Sequence, residues 1–466
     1  MPLPTPEQLQ DLSRDELIAA ILVLMEQVRQ LTETVEQLGA ENERLKHPPT
    51  SSQNSSQPPS RDWKANTPIG RRSRRKKRGA QPGHAKAMRA LVEQPDQVIE
   101  AGVTTCAGCG ADLQAVTPER VLRRQVTELP LLKPVVIETR QHDVCCPVCQ
   151  LRQRGQLPVG LEADRWCGPR LEALVTYFHQ VHHVGFERLQ GILQDIFGVS
   201  LSLGGEVAVV ERAGGAAAPE AAAIGEQVQA SAVIQSDETS SRVNGRNYWE
   251  WVFVSVAGIY HLIRQSRGQD VIDAFMGERR AQVWLSDCWK PQLAAPAAEH
   301  QLCLPHQIRA LQGLIDRRPR LRWAREMQTL FRTAIHLNHR RDGLTPRGFR
   351  RQVTCLERRL DRLLQRSFTG PGTNLFDRYR THRAHLFVFL HRTDVSPDNN
   401  ACERALRPSV IHRKVMGSFR SEWGAQAYAA LATVLDTAKR KGDNLFQKLV
   451  TLMGQPILHY LQPSTR

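Results

Sequence analysis

The chain has 466 residues, more than one hydrophobic core accommodates, so about two to four domains are expected. A net charge of +16 and a pI near 9.8 call for a polyanionic partner. Nucleic acid comes first, because each neutralised phosphate releases counterions, and anionic lipid second. The longest apolar run, LIAAILVLM, has nine residues and falls well short of a bilayer span, which argues against a membrane-inserted protein. The start, MPLPTPEQLQDLSRDE, lacks a charged-then-apolar leader, so a cytoplasmic location is expected.

In chain order, Leu17, Leu24, Leu31, Leu38 and Leu45 recur every seven residues, with Ile21, Val28, Val35 and Asn42 four residues after the first four leucines. Leucine at d with mostly β-branched residues at a predicts a parallel two-stranded coiled coil over 15–46, and hence at least a homodimer. Residues 47–83 then read as a disordered basic linker. HPPTSSQNSSQPPS buries no core, and Arg71, Arg72, Arg74, Arg75, Lys76, Lys77 and Arg78 supply cations for phosphates.

The ten cysteines of a cytoplasmic chain are expected as metal ligands or free thiols. Cys106 and Cys109 in CAGC, with Cys146 and Cys149 in CPVC, have the spacing of a zinc ribbon, predicted over 84–160 with strand-like sequence such as KPVVIET between the knuckles. Four thiolates would close a structural Zn2+ site with no open position for chemistry. Cys145 is an alternative ligand and His142 a weaker one. Residues 168–230 read as a helical DNA-binding region: a helix, a turn at Gly198, and a second helix that Ser202 caps. The same pattern fits a helix-turn-helix or an ordinary helical hairpin. His179, His182 and His183 are expected to be packing or surface residues.

From 231 the period changes to that of strands. AVIQSDETS reads as a strand ending in Asp237, Asn244–Gly245 as a hairpin turn, and YWEWVFVSVA and IYHLIRQS as two further strands parted at Gly258. GQDVIDAFMG reads as a helix and AQVWLSDC as a strand ending in Asp287. A three-stranded meander, a helix, and a strand returning beside the first open a ribonuclease-H-like fold, predicted here over 231–306. The whole chain is thus a multidomain α/β protein. Asp237 and Asp287 would converge at neighbouring strand ends, where hard oxygen ligands select Mg2+ or Mn2+. Glu238 is an alternative ligand, with its side chain expected to point away from that of Asp237.

Residues 307–393 hold twenty arginines, no lysine and six acidic residues, and are predicted to be a helical insertion with a basic face. The catalytic core resumes over 394–466. There SPDNNACERALRP predicts a helix capped by Ser396 with Pro397 at its first position, placing Asn399, Asn400, Glu403 and Arg407 on one face. Glu403 is the candidate third carboxylate of a two-metal site. Asn399 and Asn400 would orient it or meet DNA, and Arg404, Arg407 and Lys414 are candidate phosphate contacts.

The coiled coil, NSSQPPS, GAQPGH, the paired knuckles, SDETS with YWEWVF, SDCW, LCLPH and DNNACERALRP, running on into HRKVMGS and LDTAKRKG, together resemble a bacterial insertion-sequence-66 family transposase. The resemblance runs in order through nearly the whole chain. It implies a DDE triad at Asp237, Asp287 and Glu403, and it implies that Cys303 and His306 form the Cys-x-x-His motif found after the second aspartate in several transposase groups. It further implies cleavage of double-stranded DNA at element ends and strand transfer into a target, in a bacterial cytoplasm at the nucleoid, with accessory proteins as candidate partners. The rival expectations are a non-catalytic DNA-binding regulator and a structure-selective nuclease that makes no joined product.

Overall fold

The computed structural model describes residues 13–46, 90–157, 161 and 165–454; the basic run at 71–78, with the rest of the expected linker, lies outside the described residues. Helix α1 (Arg14–Lys46) is one continuous helix, and Ile21, Leu24, Val28, Leu31, Val35 and Leu38 are exposed along it. Among the described residues, no helix is long and apolar enough to cross a membrane.

Residues 90–157 contain one small antiparallel ladder, β1 (Asp143–Cys145) against β2 (Arg152–Arg154). KPVVIET, expected as a strand, joins no ladder. Val135 and Val136 are exposed, and Ile137 is half-buried.

Helices α2 (Pro169–Thr176), α3 (Phe186–Phe197) and α4 (Leu203–Gln229) follow, with a π-helical turn, Tyr177–Val181, after α2. The expected turn chemistry is present. Gly198 takes φ +66° to end α3, and the Ser202 hydroxyl accepts the Gly205 N–H at 3.1 Å to start α4. The second helix is long, and one side of it is buried along its length. Val209, Val210, Ala213, Ala217, Ala221, Ile224 and Val228 are buried, so most of α4 is a core element.

The central sheet comprises β3 (Val233–Val243), β4 (Arg246–Val254), β5 (Ile259–Arg264), β6 (Ala281–Ser286) and β7 (Ala297–Leu302), in the order β5-β4-β3-β6-β7. The first three are antiparallel neighbours, while β3–β6 and β6–β7 are parallel. Asn244 and Gly245 both have positive φ, 48° and 73°, as a two-residue hairpin matched to strand twist requires. Helix α5 (Gln269–Met276) makes the crossover from β5 to β6, and a short turn of helix, α6 (Lys290–Leu293), joins β6 to β7. Strand β3 does not end at Asp237 as expected. Its parallel ladder with β6 stops at Gln235↔Leu285, but β4 continues to pair it as far as Val243.

Beyond β7 the chain leaves the sheet through α7 (Leu304–Arg317), α8 (Arg322–His339), α9 (Pro346–Leu364), α10 (Thr373–Thr381) and α11 (Val388–His391). Helix α9 buries Phe349, Val353, Leu356, Leu360 and Leu363 at alternating steps of four and three and exposes arginines on its other side. The core of these helices is continuous with Val283, Leu285 and Leu302 of the sheet. The two ends of the excursion meet, where Leu304 N–H donates to the Pro397 carbonyl at 2.9 Å.

The chain then returns through α12 (Asn400–Met416), α13 (Glu422–Lys441) and α14 (Leu445–Leu452). Helix α13 lies so close to α4 that a β-carbon on Gly214 would sit 2.3 Å from that of Ala427. The start of α12 differs from expectation. Ser396 and Pro397 precede the helix, Asn399 is its N-cap residue, and the Ser396 hydroxyl caps only a local turn through Asp398 N–H at 3.3 Å. Pro397 is instead committed by its carbonyl to Leu304, which holds that stretch outside the helix.

Candidate active site

Gln235 and Leu285 form the last parallel pair of β3 and β6, and Asp237 and Asp287 each follow two residues later. Both aspartates therefore emerge at the same level from adjacent strands, at the carboxyl end of the parallel part of the sheet. Successive strand residues alternate faces, so the partner of Asp237 on β4, Val252, shares its face. Val252 packs with Cys402, Ala405 and Leu406 of α12, which brings Glu403 to that same face. Packing along one apolar helix stripe thus delivers a carboxylate 116 residues downstream of Asp287.

The electrostatics follow from this convergence. Burial, then the charge of Glu238, then those of Asp287 and Glu403, push the Asp237 carboxyl well above the usual carboxylate range; only the Glu238 N–H, at 2.9 Å from Oδ1, opposes them. Glu238 is also raised, by burial and then by Asp287. Its oxygens are already engaged: Arg267 Nε donates to Oε1 at 2.9 Å and Gln292 Nε2 to Oε2 at 2.8 Å. Glu238 therefore faces away from α12, as its place one residue after Asp237 predicts.

Glu403 meets Arg309 Nη2 at 3.3 Å and lies 3.8 Å from His306 Nε2. His306 Nδ1 is 3.1 Å from Cys303 Sγ, and the same sulfur accepts the Asn399 N–H at 3.3 Å. Burial pushes the Cys303 thiol up to about 12, and burial with the Arg309 charge drives His306 down to about 4. Both are neutral near pH 7, and together they tie the start of α7 to the start of α12.

Among the described residues, no group of three or more His, Cys, Asp or Glu side chains stands ready to hold a metal ion. The donor set around Asp237 nonetheless fits a divalent cation, because all-oxygen carboxylates that raise one another's proton affinity are relieved by a shared positive charge. In this arrangement Arg309 takes part of that role at Glu403.

The cysteine knuckles are built alike. In each, the first cysteine N–H bonds the carbonyl five residues on, Ala111 or Leu151, and its own carbonyl accepts the N–H four residues on, Gly110 or Gln150. Those fourth residues both take positive φ, 75° and 61°. Backbone N–H groups of Cys109 and Gly108 lower the Cys106 thiol, and those of Cys149 and Val148 lower the Cys146 thiol, which favours the thiolate. Each pair fits half of a zinc site. The structure does not bring the four cysteines into one group.

Of the candidate DNA contacts, Arg404, Arg407 and Lys414 are exposed on α12 and Asn400 is half-buried. Asn399 is fully buried and donates from Nδ2 to the Ser236 carbonyl at 2.8 Å, which favours the positioning role among its two expected ones. Sequence reasoning did not find Arg309, Arg267 or Gln292.

The family described as Transposase IS66 family matches residues 165–427, from just before α2 into α13, and so includes both aspartates and Glu403. The chain belongs to this family. As an IS66-family transposase it is a DNA-acting protein, of a class whose DDE members generally use divalent metals. A second family, described as Family of unknown function (DUF6444), matches residues 2–90. None of the curated proteins matches the chain.

Proposed function

We propose that this IS66-family transposase is a DDE enzyme whose sheet has the ribonuclease-H-like order, and that Asp237, Asp287 and Glu403 are its catalytic carboxylates. The observation that carries this reading is the shared level of the two aspartates, two residues past the last parallel pair of β3 and β6, with α12 packed on the face of Asp237. Magnesium or manganese ions held by the three carboxylates would supply an activated water and neutralise charge developing at phosphorus. Glu403 exchanges its contact with Arg309 for this role, while Asn399 holds the first turn of α12 against β3. Arg404, Arg407 and Lys414 lie along the exposed side of the helix, suited to the phosphate backbone. The reaction is attack of water on a phosphodiester at the element's end, freeing a 3′ hydroxyl, which then attacks a target phosphodiester in line.

In the same reading, 90–157 is a zinc ribbon whose matching knuckles close on one Zn2+, with Cys106, Cys109, Cys146 and Cys149 as ligands. The exposed apolar seam of α1 pairs with that of a second copy in a parallel coiled coil, so that two element ends are held together. The 71–78 run adds phosphate contacts.

The test is cleavage and joining on a labelled duplex carrying the element's own end, with Mg2+ or Mn2+, for wild type, Asp237→Asn and Glu403→Gln. Both variants should keep DNA binding and lose products by roughly a thousand-fold or more, the scale of a lost transition-state electrostatic contact. Tight binding by wild type without any metal-dependent product would instead favour the regulator.

A further inference from the structure

Arg267, in the segment between β5 and α5, is enclosed by two indoles. Its guanidinium carbon lies 4.5 Å from the ring centroid of Trp249 and 4.3 Å from that of Trp289. Its Nε and Nη2 reach Glu238 Oε1 at 2.9 and 2.8 Å, so one guanidinium is shared by a carboxylate and two indole rings. The result is a fixed stack, Trp249–Arg267–Trp289, anchored to the residue next to Asp237.

Trp289 is the outer member. It follows Asp287 by two residues, and its N–H donates to Asp287 Oδ1 at 2.8 Å. It is the N-cap of α6, whose Gln292 is buried, donates to Glu238 and accepts from Trp284 and Ser236. The backbone of the indole is therefore held from both sides, yet 38% of the residue remains exposed, and Lys290 beside it is exposed too. An indole backed by a cation, held rigid and open to solvent next to a phosphodiester-cleaving centre has the chemistry of a stacking surface for a nucleobase. Every base has a π-face, so stacking there would be sequence-tolerant.

We propose that Trp289, supported by Arg267 and Trp249, is the platform for one unpaired base beside the cleaved phosphodiester, with Lys290 meeting that nucleotide's phosphate. This deepens the DDE reading and rests on it. Taking a base out of the duplex opens the backbone beside the scissile phosphate, and the platform returns part of the unstacking cost.

The test is affinity of the full chain for two end duplexes, fully paired and with a single mismatch at the nucleotide flanking the cleaved bond, without divalent cation so that no turnover enters. A mismatch prepays the unpairing, so wild type should prefer the mismatched duplex by roughly ten-fold, within the range of one base–aromatic stack. Trp289→Leu should lose that preference while still binding the paired duplex, and Trp289→Phe should keep most of it. An unchanged preference in Trp289→Leu, or an equal loss of affinity for both duplexes, overturns the platform. Cleavage by wild type, measured separately, decides the DDE reading, so the two failures are told apart.

Discussion

The amide of Asn399 and the carbonyl of Ser236 are joined at 2.8 Å, one residue before Asp237 and four before Glu403. This buried hydrogen bond, together with the packing of Cys402, Ala405 and Leu406 on Val252, ties the strand of Asp237 to the helix of Glu403. Asn399→Ala would leave the Ser236 carbonyl unpaired in the interior, at a cost of about 1–3 kcal/mol. The expected outcome is a lowered Tm and a larger loss of cleavage than of DNA binding. Equal cleavage at saturating DNA would show that α12 is located without this bond.

Arg309 meets Glu403 at 3.3 Å, with both side chains about a quarter exposed, and in the proposed metal-bound state a cation would have to displace it. A partly exposed pair of this kind is worth at most about 1 kcal/mol. Arg309→Gln should therefore lower the Mg2+ concentration for half-maximal cleavage by up to about five-fold, measured by titration at fixed DNA. A higher requirement would mean that Arg309 serves the metal-bound state, for example by holding DNA.

His261 lies fully buried between Glu250 Oε1 at 3.0 Å and Asp436 Oδ2 at 3.1 Å, and Glu250 also accepts from Ser409 of α12 at 2.6 Å. Burial lowers the imidazole, but the hydrogen bonds to Asp436 and Glu250 outweigh it and raise His261 to about 9. A pKa raised on folding stabilises the fold fully below the unfolded value near 6.5, and that stability is lost as pH rises through about 9. Denaturant midpoints should fall between pH 7 and 9.5 in wild type and much less so in His261→Gln. Glu250→Gln should destabilise by roughly 3 kcal/mol, since it breaks a buried charged pair.

The basic run at 71–78 holds seven cations, Ser73 being the one neutral residue. If all seven meet phosphates, their deletion should reduce the slope of log affinity against log salt by about six. An unchanged slope would assign the phosphate contacts to α12 and the α7–α11 region alone.

The chain's own chemistry made some of this legible beforehand and hid the rest. Asn244–Gly245 announced its turn because few residues tolerate two positive φ values in succession, and Ser202 and Gly198 announced helix ends for similarly local reasons. Asp237 and Asp287 stood out through the apolar strands before them. Strand β7, AAEHQL, escaped notice because its burial comes from the α7–α11 core and not from a local alternation of polar and apolar residues. The start of α12 was misplaced because Pro397 suits a helix locally while its carbonyl is claimed by Leu304. The Trp249–Arg267–Trp289 stack joins three segments, and no spacing rule foretells such an encounter.

The bond from Leu304 to Pro397 bears on chain length. Because the excursion from the sheet departs and returns through one point, its length is decoupled from the geometry of α12. Closing a longer or shorter loop changes the cost only logarithmically, about 0.6 kcal/mol per doubling. Changes in the length of the chain between that pair therefore leave the N-cap of α12, four residues before Glu403, where it is.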